Sequence, residues 1–412
     1  MTPMNPQPNG NPIVLDEFTK NWPMFRGAIA GRAVTDKFLT DWDVAQGKGL
    51  LWKAPVPLPG HNSPIVWNGK VVLAGADAKM REVYCFDAAT GKLLWQQPVQ
   101  IPASAGQPAP RVQPETGFAA PTMATDGERF FAIFANGDVA AFDATGKLVW
   151  AKALMNPESM YGYSSSLAVY KMTLIIQLDQ GQEPEKKQSA LIGLDTATGK
   201  TLWRTERAVP NSWASPLVIN TPERAEVITC ADPFVIAYDP TDGKELWRTD
   251  CLSGDVAPSP CYAAGLVLAV NQGAGLFAIR PPAAGKGAKG EIVWTGHDGL
   301  PDTASPAAND EFVFVAESSG SVTCYDMKDG KKLWDHDFQT GFNASLTIAG
   351  KLVYATDVEG VTHVFQAARQ FAGAGTGKLG ESVRATPAFV DGRIYMRSEK
   401  NLYCIGAASG GK

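Results

Sequence analysis

The stretch Tyr84-Cys85-Phe86-Asp87-Ala88-Ala89-Thr90-Gly91-Lys92-Leu93-Leu94-Trp95 decides the fold, because the chain repeats it. A second clear copy is Ile192-Gly193-Leu194-Asp195-Thr196-Ala197-Thr198-Gly199-Lys200-Thr201-Leu202-Trp203. Seven near-copies end at Trp52, Trp95, Trp150, Trp203, Trp247, Trp294 and Trp334, spaced 43, 55, 53, 44, 47 and 40 residues apart. A period of this length in an all-strand pattern is the signature of a propeller with one repeat per blade. The Asp can accept backbone N–H bonds in a turn, and the Gly supplies the positive φ that such a turn needs. The Trp is large enough to fill the wedge between neighbouring sheets.

Each copy opens with a Ser-Pro-like pair: Ser63-Pro64, Ala120-Pro121, Ser165-Ser166, Ser215-Pro216, Ser259-Pro260, Ser305-Pro306, Ser345-Leu346 and Thr386-Pro387. Eight openers against seven Trp endings leave one blade short of a strand. The eighth copy stops after Leu402-Tyr403-Cys404-Ile405, whereas Leu50-Leu51-Trp52-Lys53 is a fourth strand with no blade before it. Pairing the two closes the ring and removes a bare sheet edge. The expected fold is therefore all-β: an eight-bladed β-propeller of four-stranded antiparallel blades, closed by an N-terminal strand that completes the last blade. In the sixth copy the turns and alternation place strands at Ala307–Ala308, Phe312–Ala316 and Val322–Tyr325, with a fourth beginning at Lys332. The seventh copy lacks the Trp, and Gln366–Gly380 reads as a surface loop, as do Gln97–Gly117, Gly181–Ser189 and Arg280–Gly290. The expected organisation is a disordered tail over 1–20, a segment over 21–49 packed on the propeller, the propeller over 50–406, and a flexible end over 407–412.

An apolar content of 45% with 19% charged residues is that of a globular chain with an ample core. A net charge of −5 argues against nucleic acid as a partner, which calls for clustered Lys and Arg. No apolar run is long enough to span a bilayer. Residues 1–20, rich in Pro and Asn, have neither the basic start nor the apolar core of a signal peptide. Cys85, Cys324 and Cys404 share one repeat column with Ala141, Gly193 and Ala237, which points to a tight buried slot for a small hydrophobe rather than to disulfides. Cys251 and Cys261, in neighbouring turns, are the pair placed to bridge.

The phrase strand-Asp-x-x-Thr-Gly-Lys-x-Leu-Trp resembles the repeat of PQQ-like β-propellers, a family that includes the pyrroloquinoline quinone dehydrogenases and outer-membrane assembly lipoproteins of the BamB type. The resemblance covers residues 21–406. Trp22-Pro23-Met24-Phe25-Arg26-Gly27 is similar to the start of exported bacterial members, which implies a periplasmic or exported protein. The WD40 repeat fits less well, since its Trp-Asp ending occurs once, at Trp334-Asp335. Scaffolds and enzymes share this repeat, so it specifies fold and not chemistry.

A quinone dehydrogenase of the family is expected to carry an adjacent Cys-Cys pair, oxygen ligands for calcium and a carboxylate base. No two cysteines are adjacent here, and the four histidines (His61, His297, His336, His363) lack ligand spacing. No phosphate loop or nucleophile elbow is present. The remaining constellation is a column just ahead of the openers: His61, Phe118, Tyr163, Trp213, Ala257, Thr303, Asn343 and Arg384, with Asp255 and Asp302 slightly upstream. Strand A lines the channel of a propeller, so these residues are expected to ring one mouth. His61, Tyr163, Trp213, Asp255, Asp302, Asn343 and Arg384 are thus the expected ligand-binding residues, although a wet channel mouth is polar in any case and Trp213 also reads as packing. The expected function is a non-catalytic protein-binding or scaffolding propeller without cofactor or metal, with a protein or peptide partner and monomeric. The alternative is an oxidoreductase using pyrroloquinoline quinone and calcium on an alcohol or sugar.

Overall fold

Each indole that closes a repeat sits on the turn of the following repeat in the computed structural model, which describes residues 15–104, 106, 108–285 and 287–408. The Nε1–H of Trp52 donates to the Ala88 carbonyl at 3.1 Å, that of Trp150 to Thr196 at 2.8 Å and that of Trp294 to Met327 at 2.8 Å. The turn is built for this contact. Asp87 Oδ1 accepts from the Thr90 N–H and hydroxyl, both at 2.8 Å, and Gly91, at φ +72°, lies flat on the Trp52 ring where a Cβ would collide. Those bonds hold the Asp87 carboxyl below the usual carboxylate range.

The consequence is eight four-stranded antiparallel blades running A-B-C-D from the axis outward, in chain order except in blade 8, and the sheet of blade 7 gains a short parallel strand at each edge. Blade 1 comprises Ile65–Trp67, Lys70–Ala76, Arg81–Asp87 and Leu93–Pro98. In blade 6 the strands are Ala307–Ala308, Phe312–Ala316, Ser321–Asp326 and Lys332–Asp337, as the sequence led one to expect. Blade 8 takes Ala388–Val390, Arg393–Arg397 and Asn401–Ile405 from the end of the chain and Leu50–Pro55 from its beginning. Trp52 stands opposite Cys404 there. The ring closes as expected.

The shared Cys/Ala/Gly column has a direct cause: it is the cross-strand partner of the indole. Cys85 opposes Trp95, Ala141 Trp150, Gly193 Trp203, Ala237 Trp247, and Cys324 Trp334. A Cβ on Gly193 would overlap the Trp203 ring, so only small side chains fit. All six cysteines are free thiols, including Cys251 and Cys261. Burial pushes the Cys251 thiol up to about 12 and that of Cys261 up to about 11.

Blade 7 inverts the pattern and corrects one expectation. Within the segment read as the loop Gln366–Gly380, Gly373–Lys378 is its strand D, paired with Val361–Gln366. Gly375 occupies the Trp position, and Val364 replaces the small partner. The missing indole arrives from elsewhere: Trp42–Asp43 adds a parallel strand along Gly377–Lys378, and Trp42 is fully buried between blades 7 and 8. Its ring lies directly against Gly377, and the Thr40 carbonyl against Gly375. Glycines without side chains read as loop, but they are the floor for a borrowed tryptophan.

The N-terminal segment does more than pack. Trp22 exchanges backbone bonds with Val66 of blade 1, and the Pro23 carbonyl accepts from Thr125 of blade 2. Arg26, buried, donates to the carbonyls of Ser259, Pro260 and Pro306 at the start of blades 5 and 6. Arg32–Ala33 then pairs in parallel with Ile348–Ala349, the strand A of blade 7. Blades 2 and 6 are opposite in an eightfold ring, so this segment crosses the axis and closes one end of the channel. The expected tail over 1–20 contains a turn of helix, Leu15–Lys20, whose Phe18 packs on Trp67 at 5.2 Å. Residues 1–14 and 409–412 lie outside the described residues.

Two measurements check this account. Trp42→Ala empties a site that no neighbouring side chain can refill, and a loss of about 3–5 kcal/mol in denaturant unfolding is expected; a loss below about 1 kcal/mol would contradict the borrowed-indole assignment. Thiol titration of the folded protein should find few reactive groups and close to six after unfolding without reductant. Fewer than two thiols in the unfolded chain would show disulfides instead.

Candidate axial ligand site

Two residues ahead of strand A in each blade stands a hydroxyl residue, and these form a neck around the axis. The Ser63 N–H donates to Thr122 Oγ1, Thr122 to Ser166, Ser166 to Ser215, Ser215 to Ser259, Ser259 to Ser305, Ser305 to Ser345 and Ser345 to Thr386, at 2.8–3.0 Å. Each blade thereby satisfies a buried backbone donor of the blade before it. Seven links in series fix the radius of the channel.

Above the neck opens a cavity of ≈ 970 Å³, with Phe25 of the crossing segment in its lining. It is a blind funnel. Two residues ahead of each neck hydroxyl stands the rim residue, and strand A–B pairing gives the column as His61, Ala120, Ser164, Trp213, Ala257, Thr303, Asn343 and Arg384, all lining the cavity. Of the seven residues expected there, His61, Trp213, Asp255, Asp302, Asn343 and Arg384 line it. Tyr163 does not. It is buried among Leu167, Val169 and Ile176 in the core between blades 2 and 3. Phe118 likewise gives way to Ala120. The error arose from aligning on the Ser-Pro pair. In blades 2 and 3 the neck hydroxyls are Thr122 and Ser166, and counting back from the A–B turn finds them. Sequence reasoning missed Ser164, Tyr161 and Glu115, which also line the cavity.

The rim residues are held by their neighbours. Buried Phe342 and Val383 precede Asn343 and Arg384, and their N–H groups donate to the Glu317 and Val358 carbonyls. Asn271 donates to the Ser253 and Asp255 carbonyls, pinning the turn that carries Asp255. The Trp213 N–H donates to Val256 at 2.8 Å, its indole donates to Ser159 Oγ at 3.3 Å, and Tyr161 meets it edge-on at 5.0 Å. The Ser164 hydroxyl has no hydrogen-bond partner among the described residues.

Charge is unevenly spread around the rim. Arg384, exposed, makes no ion pair among the described residues, and Arg397 behind it is buried against Asn62 Oδ1 and the Ala74 carbonyl without a carboxylate. Burial pushes the Arg397 guanidinium down to about 9. His61, hydrogen-bonded to the Pro114 carbonyl, is lowered by burial and then by Arg397 and Arg384. Asp255 and Asp302 are exposed at the start of blades 5 and 6, and burial together with Asp302 raises Glu317. Among the described residues no three His, Cys, Asp or Glu side chains cluster to hold a metal. No helix of the described residues is long and apolar enough to cross a membrane.

His61 supplies a pH test. Its folded value lies below the unfolded value near 6.5, so it favours folding above that pH, and this contribution is lost as pH falls through the lowered value. Arg384→Ala should raise the His61 midpoint in an NMR titration; an unchanged midpoint would place Arg384 away from the imidazole.

Comparison with known proteins agrees with this architecture. The family model described as outer membrane protein assembly factor BamB matches residues 31–182, 187–303 and 283–410. The BamB of Burkholderia pseudomallei is 26% identical over 193 residues, 47% of this chain and 45% of that protein. The dehydrogenase subunit of the quinone alcohol dehydrogenase of Gluconobacter oxydans is 30% identical over 161 residues, 38% of this chain and 20% of that protein. The chain thus spans less than half the length of either relative. Among solved structures, BamB from Moraxella catarrhalis superposes with a TM-score of 0.62 at 14% identity, covering 88% of this chain and 98% of that one. The quinohemoprotein alcohol dehydrogenase of Comamonas testosteroni gives 0.65 at 15% identity, covering 96% and 82%. The repeats, the closed ring of eight blades and the family match together show that this chain is a member of the PQQ-like propeller family described by outer membrane protein assembly factor BamB.

Proposed function

We propose that this chain is a non-catalytic propeller that serves as a binding or scaffolding module of the bacterial cell envelope, with the axial funnel as its ligand site. The observation that carries this reading is the composition of the funnel. Its wall offers recognition groups (Arg384, Asn343, Trp213, His61, Asp255, Asp302) on a neck whose Ser and Thr hydroxyls are already committed as acceptors between blades. Among the described residues none of these hydroxyls is paired with a base that would activate it. The relationship to outer membrane assembly factors supports the envelope setting and a protein or peptide partner.

The second reading, a quinone-dependent oxidoreductase, draws on the 161-residue similarity to the quinone alcohol dehydrogenase subunit. The funnel has room for a cofactor, but the lining does not fit a calcium-bound quinone. No cysteine lines it, and the described residues hold no cluster of three acidic, His or Cys ligands.

Titration with pyrroloquinoline quinone in the presence of calcium separates the two. No shift of the quinone absorption band and no dye-linked oxidation of alcohols or sugars is expected. Micromolar, calcium-dependent binding with turnover would overturn the non-catalytic reading.

A further inference from the structure

The rim of the funnel carries its charges in separate sectors, the Arg384 guanidinium on blade 8 and the acids Asp255 and Asp302 on blades 5 and 6. In an eightfold ring, blade 8 with Arg384 faces blade 4 with Trp213, and blade 1 with His61 faces blade 5 with Asp255. On one side stand an exposed guanidinium without a carboxylate partner, the Asn343 amide and, behind them, the buried Arg397 that only neutral groups solvate. Further round the ring, Asp255 of blade 5 and Asp302 of blade 6 carry no cationic partner among the described residues, and Asp255 stands next to Trp213 of blade 4, whose backbone N–H donates to Val256 and whose ring Tyr161 meets edge-on. Free carboxylates beside an indole form an ammonium site, since ring quadrupole and carboxylate act in the same sense. An unpaired guanidinium beside an amide suits a carboxylate.

Building on the funnel as the ligand site, we infer that it takes a zwitterionic ligand with well-separated ends, namely a short peptide with both termini free. Its C-terminal carboxylate binds Arg384 and Asn343, and its N-terminal ammonium binds Asp255, Asp302 and the face of Trp213. Size supports a peptide over a single amino acid. A volume of ≈ 970 Å³ is at the upper end of ligand pockets, and three to four extended residues span roughly 10–14 Å. The blind floor set by Phe25 favours a short ligand over a threaded chain. Glu115 is the exception to the charge pattern. It lies next to Pro114, whose carbonyl binds His61, and so sits on the cationic side, where it opposes the carboxylate.

Calorimetric titration with tetraalanine in three forms tests this: free at both ends, N-acetylated, and C-amidated. Either cap should weaken binding by roughly tenfold or more, the value of one charge-assisted contact. Arg384→Ala should weaken the free peptide and abolish the penalty of amidation while leaving that of acetylation. Asp255→Asn with Asp302→Asn should do the reverse, and Glu115→Gln should tighten binding. These side chains are solvent-facing, so unchanged melting temperatures confirm intact folds. Equal affinity for all three forms, penalties that persist in the variants, or no saturable binding of the free peptide would overturn the inference. A negative peptide result with no quinone binding leaves the propeller a module for another ligand, whereas calcium-dependent quinone binding removes the module reading itself.

Discussion

A single contact organises this molecule: an indole at the outer strand of one blade lying flat on the Asp-to-Gly turn of the next. Blades of a propeller diverge outward, so the gap between them widens with radius and must be filled by a large flat group. The indole fills it, and in five repeats its N–H ties down a turn carbonyl, as Trp52 does with Ala88 and Trp334 with Ala368, whereas the Trp247 N–H bonds Glu226. The same ring demands a small residue across the strand and a glycine beneath it. Three columns of the repeat therefore follow from one packing requirement. Where the outer strand has glycine at every second position, as in Gly373–Lys378, the requirement persists, and Trp42 meets it from outside the repeat.

That substitution explains the path of the N-terminal segment. To reach blade 7 with Trp42 and blade 8 with Leu50–Pro55, the segment runs from Trp22 beside blade 1 and crosses below the neck. Arg26 is the pivot of the crossing. A buried guanidinium is costly, and it is kept there by carbonyls of blades 5 and 6 and of its own segment rather than by a carboxylate. The crossing turns a through-channel into a one-ended funnel. Closure of the ring and closure of the channel are thus one structural device.

The sequence made the repeat, the blade number, the closing strand and the buried small-residue column legible, because each is a periodic pattern tied to local turn chemistry. It concealed what departs from the period. Gly373–Lys378 looks like a loop since its packing partner, Trp42, is more than 300 residues away in the chain. Tyr163 looked like a rim residue because a proline-based alignment slips in blades 2 and 3, where a hydroxyl stands at the neck without the Ser-Pro pair. The rim acids Asp255 and Asp302 were visible, but the aromatic pairing of Tyr161 with Trp213 depends on a loop conformation that no local pattern encodes.

The account joins two halves: a floor made by the crossing segment and a rim that carries opposite charges in separate sectors. A crystal structure of the protein soaked with a free tetrapeptide examines both together. Density lying across the funnel above Phe25, with its carboxylate at Arg384 and its amine beside Asp255 and Asp302, is the result the account predicts. Peptide density at the outer rim of the blades, or running through an open channel past Arg26, would contradict it.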